Sequence, residues 1–316
     1  PNDRPAPLAK GDASDSPLFN RAVQGLYELG STFKIFAVAQ AMDLGLVNPT
    51  TIIQTQSPMI WGKFRIHDFH NYGPTLSVTD VIVESSNVGT AHIVQMIGPE
   101  RQRAFLEKLG FMAPTPVELS EASTGRPIVP AKWSDITSMT IGYGHGLAAS
   151  PLHLATAYAT IANGGHRVSP TLVHSETHAL GEQVMSPDVA GRALAMMRAV
   201  VTRGTASFGD VRGYQVAGKT GTADKVKPGG GYYDDKVIAT FASVFPVSDP
   251  KYVLVLSLDE PVETSGKIPR RTAGWTAVPV AAEVIRRIAP ILGLRPEADT
   301  PDQMNGVILV AQKPAH

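Results

Sequence analysis

The chain predicts an α+β fold in which helices come first and an antiparallel sheet follows. Three observations support this. Up to about residue 203, apolar residues recur at helical spacing between glycine, proline and cap-type residues. Beyond Gly204 the pattern changes to β-rich runs, Val237 to Phe245 and Tyr252 to Leu258. The link between them, Pro246-Val-Ser-Asp-Pro250, is a hairpin signature, and strands joined by short turns lie antiparallel.

Residues 1–16 are an irregular lead-in, and the Pro-, Asp- and Ser-rich composition continues to about residue 20. A helix follows Gly30-Ser31-Thr32-Phe33-Lys34. From Ile35 to Leu44 only Gln40 and Asp43 are polar, so this helix is buried on most faces. Ser31 stands at its start, a favoured place for serine, near unpaired backbone N–H groups and the positive end of the helix dipole. Lys34 is one turn on and on the same face. A lysine entering a buried helix is costly unless it is paired or partly neutral. The bland alternative is a cap followed by a lysine that reaches water. A second Ser-x-x-Lys, Ser248 to Lys251, serves as a control, because it lies in the hairpin turn with a solvated lysine.

Residues 46–76 are mixed, with Pro49, Pro58, Gly62, Gly73 and Pro74 preventing long elements. His67 and His70 flank Asp68 as His-x-x-His. No third ligand is indicated, so local hydrogen bonds are favoured over a metal site. Ser77-Val-Thr-Asp80 opens a helix that runs into Ser85-Ser86-Asn87, and a second helix runs from Val88 to Ile97. Ser85 to Asn87 is thus a polar corner between two apolar helices. Its plain reading is a cap for the second.

An amphipathic helix spans Pro99 to Leu109, closed by Gly110, and residues 111–135 are loop-like. Gly142-Tyr-Gly-His-Gly146 lacks the spacing and the preceding strand of a nucleotide loop. Pro151 to Ala162 is a helix stopped by Asn163-Gly164-Gly165, and residues 187–203 form another. Tyr214 to Ala217 reads as a short strand ending at Gly218-Lys219-Thr220-Gly221-Thr222. Residues 276–292 form the last helix, and 293–316 a tail with a short strand at Val307–Val310. The chain is read as one domain, with a mostly helical part (31–203) and a sheet with its C-terminal helix (205–292).

Composition excludes several classes. The 316 residues are 43% hydrophobic and 18% charged, with 28 basic against 28 acidic side chains. That balance leaves no footprint for nucleic acid or acidic lipid. With no cysteine, disulfide and zinc-finger readings fall away, and the compartment stays open. No apolar run approaches the ~18 residues of a membrane span. The chain opens on Pro1 and reads as a trimmed piece of something longer.

Three motifs occur in one order: Ser31-x-x-Lys34, Ser85-x-Asn87 and Lys219-Thr220-Gly221, at a helix start, an interhelical corner and a strand end. Each is weak to moderate separately. The string Lys-Thr-Gly-Thr alone would occur by chance in roughly one of several hundred chains of this size. Together, in this order, they are a strong signal.

The triplet is similar to that of penicillin-binding proteins and class A β-lactamases. With Phe19-Asn20-Arg21, Tyr27-Glu28-Leu29-Gly30, Val88-Gly89 and Val216-Ala217-Gly218 as flanks, the chain resembles the transpeptidase domain of a class B penicillin-binding protein. Gly142 to Gly146 and Ala162 to Gly165 look most like the division-specific, septal members. The resemblance runs from about residue 17 to about 292. Leu29 stands where many relatives have proline. The family's fold is an antiparallel sheet covered by helices plus an all-helical subdomain. Its N-terminal membrane anchor and pedestal are not in this chain, which the resemblance places outside the cytoplasm, on the inner membrane.

A serine hydroxyl needs a neighbour to take its proton. Lys34 is in reach, and burial plus a second cation at Lys219 would lower its pKa from the usual ~10.4. The expectation is that Lys34 takes the proton of Ser31. Ser85, held by Lys219, passes one to the leaving amine, and Asn87 positions Lys34 and the substrate amide. The resemblance implies an oxyanion hole from the backbone N–H groups of Ser31 and Thr222, with Thr220, Gly221 and Thr222 on the substrate carboxylate. It further implies a peptidoglycan stem peptide ending in D-Ala-D-Ala as donor, β-lactams as covalent inhibitors at Ser31, and a membrane glycosyltransferase and other division proteins as partners. No metal or cofactor is required. A β-lactamase needs a deacylating base, and no Glu-x-x-Leu-Asn segment lies between the second and third motifs. A D,D-carboxypeptidase and a penicillin sensor without turnover stay open.

Overall fold

A computed structural model describes residues 16–175, 179–227 and 230–298. In chain order it holds β1 (Tyr27–Glu28), a 3-10 turn (Gly30–Phe33), α1 (Lys34–Asp43), β2 (Ile52–Gln54), β3 (Met59–Trp61), β4 (Phe64–Ile66) and β5 (Thr75–Ser77). Then come α2 (Val78–Val83), α3 (Asn87–Ile97), α4 (Pro99–Lys108), a 3-10 turn (Ser120–Thr124), α5 (Asp135–Gly142), β6 (Ala148–Ala149), α6 (Pro151–Ala162) and α7 (Pro187–Arg203). A 3-10 turn (Ser207–Gly209), β7 (Ala217–Val226), β8 (Tyr232–Phe245), β9 (Tyr252–Asp259) and α8 (Ala277–Ile291) complete it. The lead-in to residue 15 and the strand expected at 307–310 lie outside the described residues.

The main sheet is antiparallel, in the order β7-β8-β9. From Val237 to Phe245 every residue of β8 is buried, although side chains alternate between the two faces of a strand. Both faces are therefore covered. Helices α6 and α8 pack on β8 and β9, and α7 packs on β7. This is why Val-Ile-Ala-Thr-Phe-Ala-Ser-Val-Phe reads as a continuous run rather than as alternation.

Helix α1 is the centre of the helical part. Every residue from Lys34 to Met42 is buried, with α2, α3, α4, α5 and α7 packed around it. Phe33, Phe36, Phe111 and Tyr158 make an aromatic cluster below its first turn, with ring centroids 4.8 to 5.7 Å apart. Such pairs contribute about 0.5–1.5 kcal/mol each beyond their buried area. The Tyr158 hydroxyl donates to the Thr32 carbonyl at 2.9 Å, fixing the turn that carries Ser31.

Cap-type serines begin the helices as their sequence suggests. Ser77, Ser86, Ser150 and Ser186 accept N–H groups of the first turns of α2, α3, α6 and α7. Three readings need correction. Ser31 is not a side-chain cap: it lies inside the 3-10 turn, and no side chain caps that turn or α1. Lys219 to Thr222 is not a strand end, since β7 starts at Ala217 and continues to Val226, paired throughout with β8. Helix α5 was not expected. Its β-branched residues form helix poorly in isolation. Packing against α3 overrides that preference, with Gly142 lying against Val94. The segment 46–76 holds only three-residue strands, in the pairs β2–β5 and β3–β4.

Candidate active site

Three side chains meet beside the 3-10 turn: Lys34 from α1, Ser85 from the α2–α3 corner and Lys219 from β7. Lys34 Nζ donates to the carbonyl oxygen of Ser85 and, at 3.1 Å, to its hydroxyl. Lys219 Nζ reaches the same hydroxyl at 2.9 Å and the Thr220 carbonyl at 3.2 Å. Ser31, three residues before Lys34 in the adjoining 3-10 turn, is half-buried.

Both lysines are 0% exposed. Burial, the Lys219 charge and, opposing them, Asp68 act on Lys34, and its pKa lies well below the usual 10.5. Burial pushes Lys219 down to about 7. Carrying both depressing influences, Lys34 is the lysine suited to accept a proton. With two ammonium donors on its oxygen, the Ser85 hydroxyl has its lone pairs engaged, and its proton is left for another acceptor.

The corner that carries Ser85 is built from helix ends. Helix α2 stops at Val83, Ser85 adopts a left-handed φ of 64°, and Ser86 caps α3 by accepting the Gly89 N–H at 2.8 Å. The cap reading and the site reading are thus both met, by different serines. Asn87 makes a local contact. Its amide nitrogen donates to the His67 carbonyl at 2.9 Å, and among the described residues Lys34 is held by Ser85 rather than by Asn87.

Close backbone packing joins the 3-10 turn to β7. Gly30 has φ +54°, and a Cβ there would lie 3.0 Å from the Thr222 carbonyl oxygen. A Cβ on Gly221 would meet the Leu29 carbonyl oxygen at 2.3 Å. Gly221 is therefore packed closely against the Leu29 carbonyl. Together the two glycines bring the backbone of the 3-10 turn against that of β7.

Thr220 is 7% exposed, with its hydroxyl 2.6 Å from that of Thr205. The Thr222 hydroxyl accepts the Ala273 N–H at 3.0 Å, which leaves its own proton to donate. Thr205 and Ala273 escaped sequence reasoning, as did Asp68 and Glu28. Glu28 accepts from the Gly146 N–H at 2.7 Å, meets the His145 ring at 3.1 Å and takes the Tyr232 hydroxyl at 3.0 Å. The His-x-x-His segment flanks Asp68, and the His67 carbonyl takes a local hydrogen bond from Asn87. Both histidine side chains are exposed, and among the described residues no cluster of three or more His, Cys, Asp or Glu is placed to hold a metal. The control Ser248-x-x-Lys251 is at the surface, where Ser248 donates to Glu297 and Lys251 pairs with Asp249 at 2.9 Å.

Residues 1–285 match the penicillin binding protein transpeptidase domain. A curated relative from Caulobacter vibrioides, "probable peptidoglycan D,D-transpeptidase FtsI", is 36% identical over 90% of this chain, which spans 50% of that protein. The apo transpeptidase domain of Burkholderia pseudomallei penicillin-binding protein 3 superposes with a TM-score of 0.80 at 31% identity, covering 89% of this chain and 84% of that one. Mycobacterium tuberculosis penicillin-binding protein 3 complexed with ampicillin also gives 0.80, at 32% identity, over 92% of this chain and 67% of that one. With its buried lysine pair, its Ser85 corner and these matches over most of its length, the chain belongs to the transpeptidase-domain family of the penicillin-binding proteins.

Proposed function

We propose that this chain is a single serine-type transpeptidase domain that cross-links peptidoglycan stem peptides in septal wall synthesis. The observation that carries the reading is the convergence of Lys34 and Lys219 on the Ser85 hydroxyl, one turn from Ser31.

In this reading Ser31 Oγ attacks the carbonyl carbon of the penultimate D-Ala while its proton passes to Lys34. The C–N bond to the terminal D-Ala breaks, and Ser85 gives that amine a proton, which Lys34 replaces. An ester on Ser31 is left. The amine of a neighbouring stem then attacks the ester carbon, its proton leaves through Ser85 and Lys34, and Ser31 regains its hydrogen. The N–H groups of Ser31 and Thr222 stabilise the oxyanion, a role supported by the packing of Gly30 on Thr222. Hydroxyl protons of Thr220 and Thr222 face the substrate carboxylate. β-Lactams acylate the same serine, and the ampicillin complex of the mycobacterial relative supports this.

Because the chain spans half of the curated Caulobacter relative, the activity of the whole protein belongs to this proposal. So do its extracytoplasmic location, its attachment to the inner membrane, and its pairing with a membrane glycosyltransferase and other division proteins. No described helix is long and apolar enough to cross a membrane.

The test is intact-mass spectrometry over time after addition of penicillin, on this chain and on Ser31→Ala. A lasting one-to-one adduct that Ser31→Ala abolishes is expected. An adduct lost within seconds, with hydrolysed drug accumulating, would mean a β-lactamase. No adduct would remove the acyl-transfer reading.

A further inference from the structure

Asp68 lies in the turn after β4, and its carboxylate is aimed at the start of α3. Oδ1 accepts the N–H groups of Asn87 at 2.5 Å and Val88 at 3.0 Å. Oδ2 accepts the Ser86 hydroxyl at 2.8 Å. These backbone groups belong to the first turn of α3, where N–H groups lack helical partners and negative charge is favoured. The aspartate is itself anchored, its N–H donating to the Ser57 hydroxyl at 3.1 Å. On the other side of the corner, Ser85 is held in a left-handed conformation that a non-glycine residue adopts only under restraint. Fixing residues 86 to 88 fixes where Ser85 must leave the chain.

Charge points the same way. Two buried lysines face Ser85, and among the described residues neither forms an ion pair. Burial and Lys219 depress Lys34, while Asp68 acts in the opposite sense. Lys219 from β7 and Asp68 are the charged groups that act on Lys34. The α2–α3 corner presents neutral Ser85 and Asn87. Glu84, at the end of α2, acts instead on Tyr72, whose hydroxyl burial, Asp68 and Glu84 push up to about 12.

We propose that Asp68 is a positioning residue of the acyl-transfer site, holding the Ser85–Asn87 corner in place and supplying negative charge that acts on the buried Lys34. It touches neither substrate nor reacting atoms, and the inference rests on the transpeptidase reading above. The carboxylate acts through two routes, and two substitutions separate them. Asp68→Asn keeps an oxygen for the backbone N–H groups and removes the charge, whereas Asp68→Ala removes both.

The experiment follows the Lys34 ammonium by NMR on protein carrying isotope-labelled lysine, across pH, with Lys34→Arg assigning the signal. In parallel, acylation by penicillin is timed by intact mass at each pH. For Asp68→Asn, the Lys34 titration and the acid limb of the acylation profile both move to lower pH. For Asp68→Ala, acylation also slows by up to about 10²-fold through misplacement of Ser85. A Lys34 titration unchanged in Asp68→Asn, or Asp68→Ala acylating at the wild-type rate, would overturn the proposal. If Asp68→Ala does not fold, Asp68→Asn decides. If wild-type Ser31 takes up no drug, the transpeptidase reading fails, while the Lys34 titration still decides the role of Asp68.

Discussion

Lys34 and Lys219 meet on one atom: their ammonium nitrogens lie 3.1 and 2.9 Å from the hydroxyl oxygen of Ser85. One lysine opens a buried helix, and the other sits inside the edge strand β7. Two cations so close, both out of water, cannot both keep ordinary affinity for a proton. The arrangement lowers the proton affinity of both lysines, Lys34 through burial and the Lys219 charge and Lys219 through burial. Lys34→Met should therefore slow acylation of Ser31 by at least about 10²-fold, the usual contribution of a general base. In the wild type, acylation should rise with pH along a limb lying well below the ordinary lysine value of 10.5. Timed mass spectrometry across pH checks both. A Lys34→Met rate within a factor of a few of wild type would remove Lys34 as the base.

Lys219 makes a prediction about stability. Its folded-state pKa is about 7 against an ordinary 10.5, so between those values the unfolded chain binds more protons than the folded one. Stability must then rise with pH across that window and level off above it. The buried charge is a penalty present at low pH and relieved as the proton leaves. Thermal melts from about pH 7 to about pH 9 should show Tm increasing, with a flatter dependence in Lys219→Met. Equal slopes in the two proteins would mean that Lys219 does not titrate there.

Gly221 lets two backbones approach closely. An added Cβ would meet the Leu29 carbonyl oxygen at 2.3 Å, and neither backbone is free to move, since β7 is paired along its length and Leu29 precedes the nucleophile turn. Gly221→Ala should cost about 1–3 kcal/mol through overpacking. It should also push the Ser31 turn away from Thr222, reducing acylation more than tenfold by the sensitivity of such reactions to misplacement. Melting and acylation measured on one preparation test this. Normal acylation with normal stability would mean that the turn accommodates a methyl group without cost.

Much of the site could be read from the sequence because its parts lie at the ends of strongly patterned elements. The buried run after Lys34 and the Ser77 and Ser86 caps are local signals, and they fixed the helix start and the corner. Lys219 was misplaced at a strand end because its glycine neighbours resemble turn residues, whereas they serve close packing on Leu29 and Phe241. Helix α5 escaped because tertiary contact with α3 outweighs its weak propensity. Asp68, Thr205 and Ala273 act across long separations, and no periodicity encodes such contacts. The contact of the Asn87 side-chain amide with the His67 carbonyl is likewise a loop contact that no periodicity encodes.

Glu28 shows what a contact of this long-range kind predicts. Its carboxylate ties together three segments: the strand before Ser31, the Gly142–Gly146 loop and the start of β8. Burial alone would raise its pKa, but the hydrogen bonds from His145, the Gly146 N–H and Tyr232 outweigh it and hold the carboxyl below the ordinary 4.5. A carboxyl with a depressed folded-state pKa stabilises the fold above its unfolded value, and that contribution is lost as pH falls through the folded value. At neutral pH, Glu28→Gln should cost about 1.5–3 kcal/mol, the range for hydrogen bonds to a charged group. As pH falls below about 4.5, the wild type should lose that advantage and its Tm converge on that of Glu28→Gln. Because β1 leads directly into the nucleophile turn, the variant should also acylate more slowly at neutral pH. Parallel melts from neutral to acid pH, with acylation timed at neutral pH, supply the check. A constant Tm difference across the range would show that the clasp does not depend on the ionised carboxylate.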